Sequence, residues 1–268
     1  MSEHVSGDLA LDGAPNSRDL GGLPTTDGRV VRNGVALRAE SLVSLTDADL
    51  DTLRRMGIRT VVDFRGASEI AVSGVGRLPD VDGAAPNRLQ LPVFEPGHDI
   101  YTALALLVRG TDPAVVEREF GDGKAERLML ECYRWFVRDP GARLPFARTL
   151  RLLASRTDSP LLFHCTAGKD RTGWMAVVLL TALGVEPEAV VADYLRSNDH
   201  QVFDLEDPDG LDPRLVRPFL EVRPDYLSAA FDQIERDFGD FGGFLERGLG
   251  VDAATLERLR THLLTERG

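Results

Sequence analysis

Residues 159–184 constrain this chain more than any other stretch. SPLLFHC (159–165) is short and mostly apolar, and reads as a strand. RTGWMAVVLLTALG (171–184) is apolar nearly all round and reads as a buried helix. Between them stands TAGKD (166–170), a loop of small and charged residues. A charged segment wedged between two buried elements, opening on a histidine and a cysteine, points to chemistry rather than to packing.

The remaining chain supplies one domain around that unit, of α/β class, with helices outnumbering strands. Residues 1–15 read as a loose lead-in, followed by a turn-rich NSRDLGG (16–22). GRVVRNGVALRAE (28–40) reads as a hairpin of two short strands about Asn33-Gly34. SLTDADLDTLRRMG (44–57) has a Thr46 or Asp47 cap, an apolar stripe and a Gly57 stop, so a helix is expected. IRTVVDFRG (58–66) follows as a buried strand with a charged end. A Gly/Pro-rich stretch (74–97) precedes two helices over 112–139, broken near Gly121 and Gly123, and a third over 140–156. EPEAVVADYLRSN (186–198), 225–239 and 251–264 read as further helices. Residues 199–224, acidic and proline-rich, read as an insertion or lid. Phe and Leu residues of 201–220 either line a mouth for an aryl group or pack loosely on the surface.

Several function classes are disfavoured. A length of 268 residues suits one large domain or two small ones, and a hydrophobic fraction of 43% allows a core without staples. A formal net charge of −12 is wrong for coating nucleic acid or an anionic membrane. An anionic ligand therefore needs a local basic pocket. Cys132 and Cys165 form no C-x-x-C pair and no disulfide framework, which fits a reducing compartment. The N-terminus lacks a basic start followed by an apolar run, and no apolar run approaches the ~18 residues of a membrane span. The expectation is a cytoplasmic protein, or one exported without a recognisable signal peptide. His4, His98, His164, His200 and His262 show no ligand spacing, so neither a metal nor another cofactor is expected.

The loop has a chemistry of its own. Main-chain N–H groups in a tight turn before a helix converge on one spot, and the helix adds partial positive charge there. Such nests bind phosphate, and the same field favours a cysteine thiolate. Cys165 then serves as nucleophile, and Arg171, six residues on, offers a planar fork to two phosphate oxygens. Ala167 and Gly168 keep the cradle small. Thr172 can give its hydroxyl to the sulfur, and His164 can orient the loop through side-chain hydrogen bonds. A nucleotide-binding P-loop is excluded, because Lys169 is followed by Asp170 rather than by Ser or Thr.

HCTAGKDRTG (164–173) resembles the signature loop of cysteine-dependent protein tyrosine phosphatases, His-Cys-x5-Arg-Ser/Thr, in its atypical bacterial dual-specificity branch. The likeness extends to NSRDLGG (16–22), VVDFRGASE (61–69), VVADYLRSN (190–198) and 223–245. It implies a parallel-type central sheet flanked by helices, covered in a mycobacterial relative by a helical lid. Residue by residue it implies Cys165 as nucleophile and Arg171 as phosphate clamp, with Thr166, Ala167, Gly168 and Lys169 lining the substrate cradle. Lys169 matches a loop lysine also found in phosphoinositide phosphatases, and Asp170 a loop aspartate proposed as the general acid.

Leaving-group protonation needs a carboxylic acid within reach of the ester oxygen. Asp170 is preferred, with a salt bridge to Arg171 or Arg18 as its structural alternative. Asp139 could lie on a separate acid loop but reads better as a helix-to-helix turn. Asp63 ends a strand, where its expected role is to fix Arg65 or the loop. Arg18 and Asp19, in a turn with Asn16, are expected to buttress the site from inside. Arg196 either touches the site or only ends its helix. The expected partner is a phosphorylated protein or a phospholipid headgroup, and the expected reaction is phosphomonoester hydrolysis through a phosphocysteine. Two other readings stand beside it: a regulatory phosphate-binding pseudophosphatase, and a cysteine redox or sulfur-transfer enzyme that brings Cys132 to Cys165.

Overall fold

The computed structural model describes residues 7–93, 112–155, 159–200 and 212–267. In chain order its main elements are β1 (Arg18–Asp19), β2 (Arg29–Val31), β3 (Ala36–Ala39), α1 (Asp47–Arg55), β4 (Thr60–Asp63), α2 (Ala67–Ser73) and β5 (Asn87–Gln90). There follow α3 (Pro113–Phe120), α4 (Lys124–Arg138), α5 (Pro140–Ser155), β6 (Leu161–His164), α6 (Arg171–Leu183) and α7 (Pro187–Leu195). The chain closes with α8 (Pro213–Leu220), α9 (Pro224–Phe238), α10 (Ala253–Leu263) and β7 (Leu264–Glu266).

The most apolar strand takes the middle of the sheet. The strand order is β1-β3-β6-β4-β5, antiparallel only between β1 and β3. The register sets His164 opposite both Ala39 and Asp63, so the carboxyl ends of β3, β6 and β4 finish level. Ligands in parallel sheets gather beyond such ends. Side chains of β6 alternate between two cores, as the strand period requires. Leu161 and Phe163 enter the larger core, with α4, α5 and α6. Leu162 enters the smaller one, with Leu53 of α1, Leu37 and Val61. A sheet buried on both faces explains why its central strands read as continuous apolar runs.

Twelve of the thirteen residues of α6 are buried, all but Thr181. It packs on β3 and β6 and is covered by α7 and α10, so it has no solvent face to make polar. Gly184 ends it at φ +81°. The Thr46 cap of α1 is a full capping box with Asp49. No described helix is long and apolar enough to cross a membrane.

The structure departs from expectation in several places. Residues 28–40 do not form a hairpin: β2 pairs with β7 in a separate two-stranded sheet, while β3 pairs with β1 and β6. Asp19 accepts from the N–H of Gly34 (2.6 Å) and Gly21 (2.9 Å), and Arg32 N–H donates to Leu263 (2.7 Å), so the turn feeds two sheets rather than closing one. The lead-in is not loose over 9–14, because Leu9, Leu11 and Ala14 are buried in the smaller core. Asp12 and Gly13 donate their N–H groups to the Asp49 carboxylate, which ties that stretch to α1. Within the expected lid, 201–211 lies outside the described residues and 213–220 is helix α8. Leu215 and Phe219 are buried, Phe219 against Phe120 with ring centroids 5.2 Å apart, so neither packs loosely on the surface.

Candidate active site

Cys165 follows β6 directly, and Arg171 opens α6. The loop between them is anchored through its carbonyls. Cys165 O accepts from His164 Nδ1 (3.1 Å), Thr166 O from Ser41 N–H (2.9 Å), Ala167 O from Asn16 Nδ2 (2.8 Å) and Gly168 O from Arg38 Nη2 (2.7 Å). These are trans peptides, so each following N–H points opposite its carbonyl. The N–H groups of Thr166, Ala167, Gly168 and Lys169 are thereby turned away from the anchors, as an anion-binding nest requires. Gly168 holds φ +69°, and a Cβ there would stand 2.8 Å from Glu40 N and 2.9 Å from Ala39 O. Four oriented N–H donors and a helix N-terminus suit an oxyanion and disfavour a metal cation.

Arg171 is held in place by a carboxylate. Its Nη1 and Nη2 meet Glu69 Oε2 and Oε1, both at 2.7 Å, and Nη1 also donates to Phe64 O (3.2 Å). Glu69 further accepts from the Thr166 hydroxyl (2.6 Å) and from Gly66 N–H (2.7 Å). Burial opposes ionisation of Glu69, but the Arg171 guanidinium, the Thr166 hydroxyl and the Gly66 N–H outweigh it and hold its carboxyl below the ordinary value. The guanidinium plane is fixed before any substrate arrives.

Beneath the loop two arginines share one carboxylate. Arg18 Nε and Arg38 Nη1 each meet Asp193, on α7, at 2.7 Å. Arg18 Nη1 also donates to Asn16 Oδ1 (2.8 Å), the residue whose amide holds Ala167. Arg38 Nη2 reaches Ser197 Oγ (3.1 Å) besides Gly168 O. Both arginines are fully buried. Burial and the like charge of Arg18 push Arg38 down to about 10, against Asp193 and Cys165, which favour its charge.

Asp170 lies at the N-cap position of α6, where it accepts from Lys169 Nζ on Oδ2 (2.7 Å) and from the Tyr133 hydroxyl on Oδ1 (3.1 Å). Tyr194 donates to the Tyr133 oxygen (2.7 Å). Burial raises both phenols well above the ordinary value, so they stay protonated donors. The Lys169 ammonium, expected to face substrate, is buried and directed to Asp170 and to Glu221 O (3.4 Å).

Asp63 grips Arg65 through Nε and Nη2, at 3.0 and 2.8 Å, and Arg65 in turn holds Ser73, Gly74 and Val75 at the end of α2. His164 Nε2 stands 3.6 Å from Asp63, and burial lowers the ring to about 4, which keeps it neutral at pH 7. Thr172 Oγ1 is buried and finds no hydrogen-bond partner among the described residues, so the expected bond to the sulfur is not formed here. Asp139 caps α5 by accepting from Ala142 N–H (2.9 Å), the plain turn role. Arg196 reaches Asp8 at 2.6 Å. Neither Cys132 nor Cys165 forms a disulfide; Cys132 is half-buried on α4 and Cys165 is only 1% exposed at the loop floor.

Four residues of this constellation were not foreseen: Glu69, Arg38, Asp193 and Tyr133. Glu69 and Asp193 fall within recognised motifs, and Arg38 interrupts the apolar strand VALRA. A charge at an inward strand position is a signal, since a buried charge needs a partner. Tyr133 carried none, because a tyrosine on an amphipathic helix reads as core.

The sequence pattern of the tyrosine phosphatase family matches residues 9–265. The chain is 36% identical to the triple specificity protein phosphatase PtpB of Mycobacterium tuberculosis, over 95% of this chain and 98% of that protein. A relative from Cupriavidus necator is also 36% identical, over 96% of this chain and 88% of its own. Among solved structures, P. aeruginosa TpbA aligns with 77% of this chain and 90% of its own at 18% identity, with a TM-score of 0.29 that carries no weight for the site. With a matched pattern spanning nearly its whole length, the chain belongs to the tyrosine phosphatase family.

Proposed function

We propose that this protein-tyrosine phosphatase hydrolyses phosphotyrosine in proteins through a phosphocysteine on Cys165. In the first step the Cys165 thiolate attacks phosphorus and the phosphorus–oxygen ester bond breaks. Asp170 gives its proton to the departing phenolate. The amides of 166–169 and the Arg171 fork hold the three non-bridging oxygens, where charge is fixed before reaction and need not reorganise. In the second step water attacks the thiophosphate, Asp170 takes its proton, and the sulfur leaves as thiolate. Protons and charges balance over the cycle, and no cofactor takes part.

One observation carries this reading: the carbonyls of residues 165–168 are all anchored outward around a cysteine, with Arg171 clamped by Glu69. An electron-neutral packing cysteine needs none of this. No disulfide joins Cys132, half-buried against the main core, to Cys165. Cys165→Ser should abolish hydrolysis of an aryl phosphate while tungstate still binds. Hydrolysis at the parental rate in that variant would remove the mechanism.

The substrate range extends in our reading to phosphoserine, phosphothreonine and phosphoinositide headgroups. The PtpB relative's name, triple specificity protein phosphatase, supports more than one class of substrate. The Lys169 contact with Asp170 leaves less of its charge for a polyphosphorylated headgroup than the loop sequence suggests. A panel of phosphopeptides and soluble phosphoinositides, with Cys165→Ser as control, orders these substrates.

A further inference from the structure

The loop's carbonyl anchors differ in kind. One is local, His164 beside Cys165, and one is a backbone N–H from distant sequence, that of Ser41. The other two are side chains from distant sequence, Asn16 and Arg38, which lie 151 and 130 residues from the carbonyls they hold. Neither is held loosely. Asn16 N–H donates to Glu40 Oε1 (2.7 Å), and its Oδ1 accepts from Arg18. Arg38 is fixed by Asp193 and Ser197, and Gly168 is seated against the backbone of Ala39 and Glu40, directly after Arg38.

We propose that Arg38 and Asn16 are positioning residues for the anion cup: by drawing the carbonyls of Gly168 and Ala167 outward they aim the N–H groups of Lys169 and Gly168 at the bound oxyanion. The inference rests on the phosphate-binding reading of the loop. Neither residue touches substrate. Each acts through one peptide plane, which can rotate only as a unit because C=O and N–H are coplanar. Losing the Arg38 bond frees the 168–169 peptide to turn its carbonyl toward the anion, which converts an attractive dipole into a repulsive one. Glycine at 168 makes that rotation easy, since the rotation changes its ψ and a residue without Cβ has few forbidden φ/ψ combinations.

Arg38 also contributes charge. Arg18 and Arg38 share the Asp193 carboxylate, while the other acceptors of Arg38, Gly168 O and Ser197 Oγ, are neutral. The trio therefore carries net positive charge under the cup, in a chain of net charge −12. The two contributions separate by substitution. Arg38→Lys keeps the charge but cannot serve Asp193 and Gly168 with a fixed fork. Arg38→Met removes both.

The test measures binding of inorganic phosphate and tungstate by calorimetry, and KM and kcat for an aryl phosphate, on full-length parent, Arg38→Lys, Arg38→Met and Asn16→Ala. Arg38→Lys and Asn16→Ala are expected to weaken oxyanion binding and raise KM about tenfold, the worth of one charge-assisted or well-placed hydrogen bond. Arg38→Met is expected to weaken both further. A residue that merely supports the fold lowers the active fraction, and hence apparent kcat, with KM and oxyanion affinity at parental values; that result overturns the proposal. Where an Arg38 variant shows no cooperative melt, Asn16→Ala decides, because it removes no buried charge. Parental oxyanion binding in Asn16→Ala then counts against the inference. A parent that binds tungstate but hydrolyses no aryl phosphate defeats the phosphatase reading instead, and the calorimetric comparison still judges the anchors.

Discussion

At the scale of single residues the site is a set of paired charges. Glu69 serves Arg171, Asp193 serves Arg18 and Arg38, and Asp63 serves Arg65, each carboxylate fixing a guanidinium that has a second task. Asp170 differs in accepting from Lys169 and from the Tyr133 phenol. If it protonates the leaving group, Asp170→Asn should slow poor leaving groups by about 10²–10⁴ and good ones much less. Equal loss across a series of aryl phosphates would move the acid role elsewhere. His164 makes a separate prediction. Its folded pKa of about 4 lies below the ordinary 6.5. Between those values the unfolded chain binds a proton that the folded chain refuses, so stability falls as pH drops through that window and is complete above it. Urea midpoints should therefore drop from about pH 7 to about pH 5, and His164→Gln should flatten that drop. An unchanged pH response in the variant would show that other groups are responsible. The candidate nucleophile and clamp were legible in the sequence because Cys-x5-Arg between strand and helix has few other uses. Their supports were not, since Asp193 and Arg38 lie 155 residues apart and only the fold joins them.

At the scale of elements, legibility followed local signals. Helices α1, α4, α6 and α9 carried caps, stripes or glycine stops and lie close to where the pattern put them. The short strands β1, β5 and β7 were missed, because two to four residues of mixed polarity hold no period. The 28–40 hairpin shows the limit of turn chemistry. Asn33-Gly34 does turn, with Gly34 at φ +72°, but long-range pairing with β7 and β6 decides where each arm goes. The contact between the loop and the end of β3 yields an element-level prediction. Gly168→Ala must tolerate both a positive φ and backbone atoms under 3.0 Å from the new Cβ. A cost of about 1–3 kcal/mol is expected from the strained backbone alone, with loss of oxyanion binding. Denaturant titration and calorimetry check both; a variant with parental stability and affinity would show that the loop does not need this seat.

At the scale of the whole molecule, a net charge of −12 surrounds a site proposed to hold an anion. The site's cations are mostly matched: Arg18, Arg38, Lys169 and Arg171 face Asp193, Asp170 and Glu69. The long-range field therefore stays negative and opposes acidic substrates, while the short-range cup attracts them. Salt screens the former more than the latter. For an acidic phosphopeptide kcat/KM should rise with ionic strength from about 0.01 to 0.15 M, and a small aryl phosphate should respond less. A steep fall with salt for both would mean that an exposed basic surface steers the substrate.

The covalent intermediate is the center of the account, and rapid base quench after mixing with radiolabelled phosphotyrosine peptide tests it most directly. The parent should carry label on the Cys165 peptide, and Cys165→Ser should carry none. Label on another residue, or label that persists in Cys165→Ser, would contradict it.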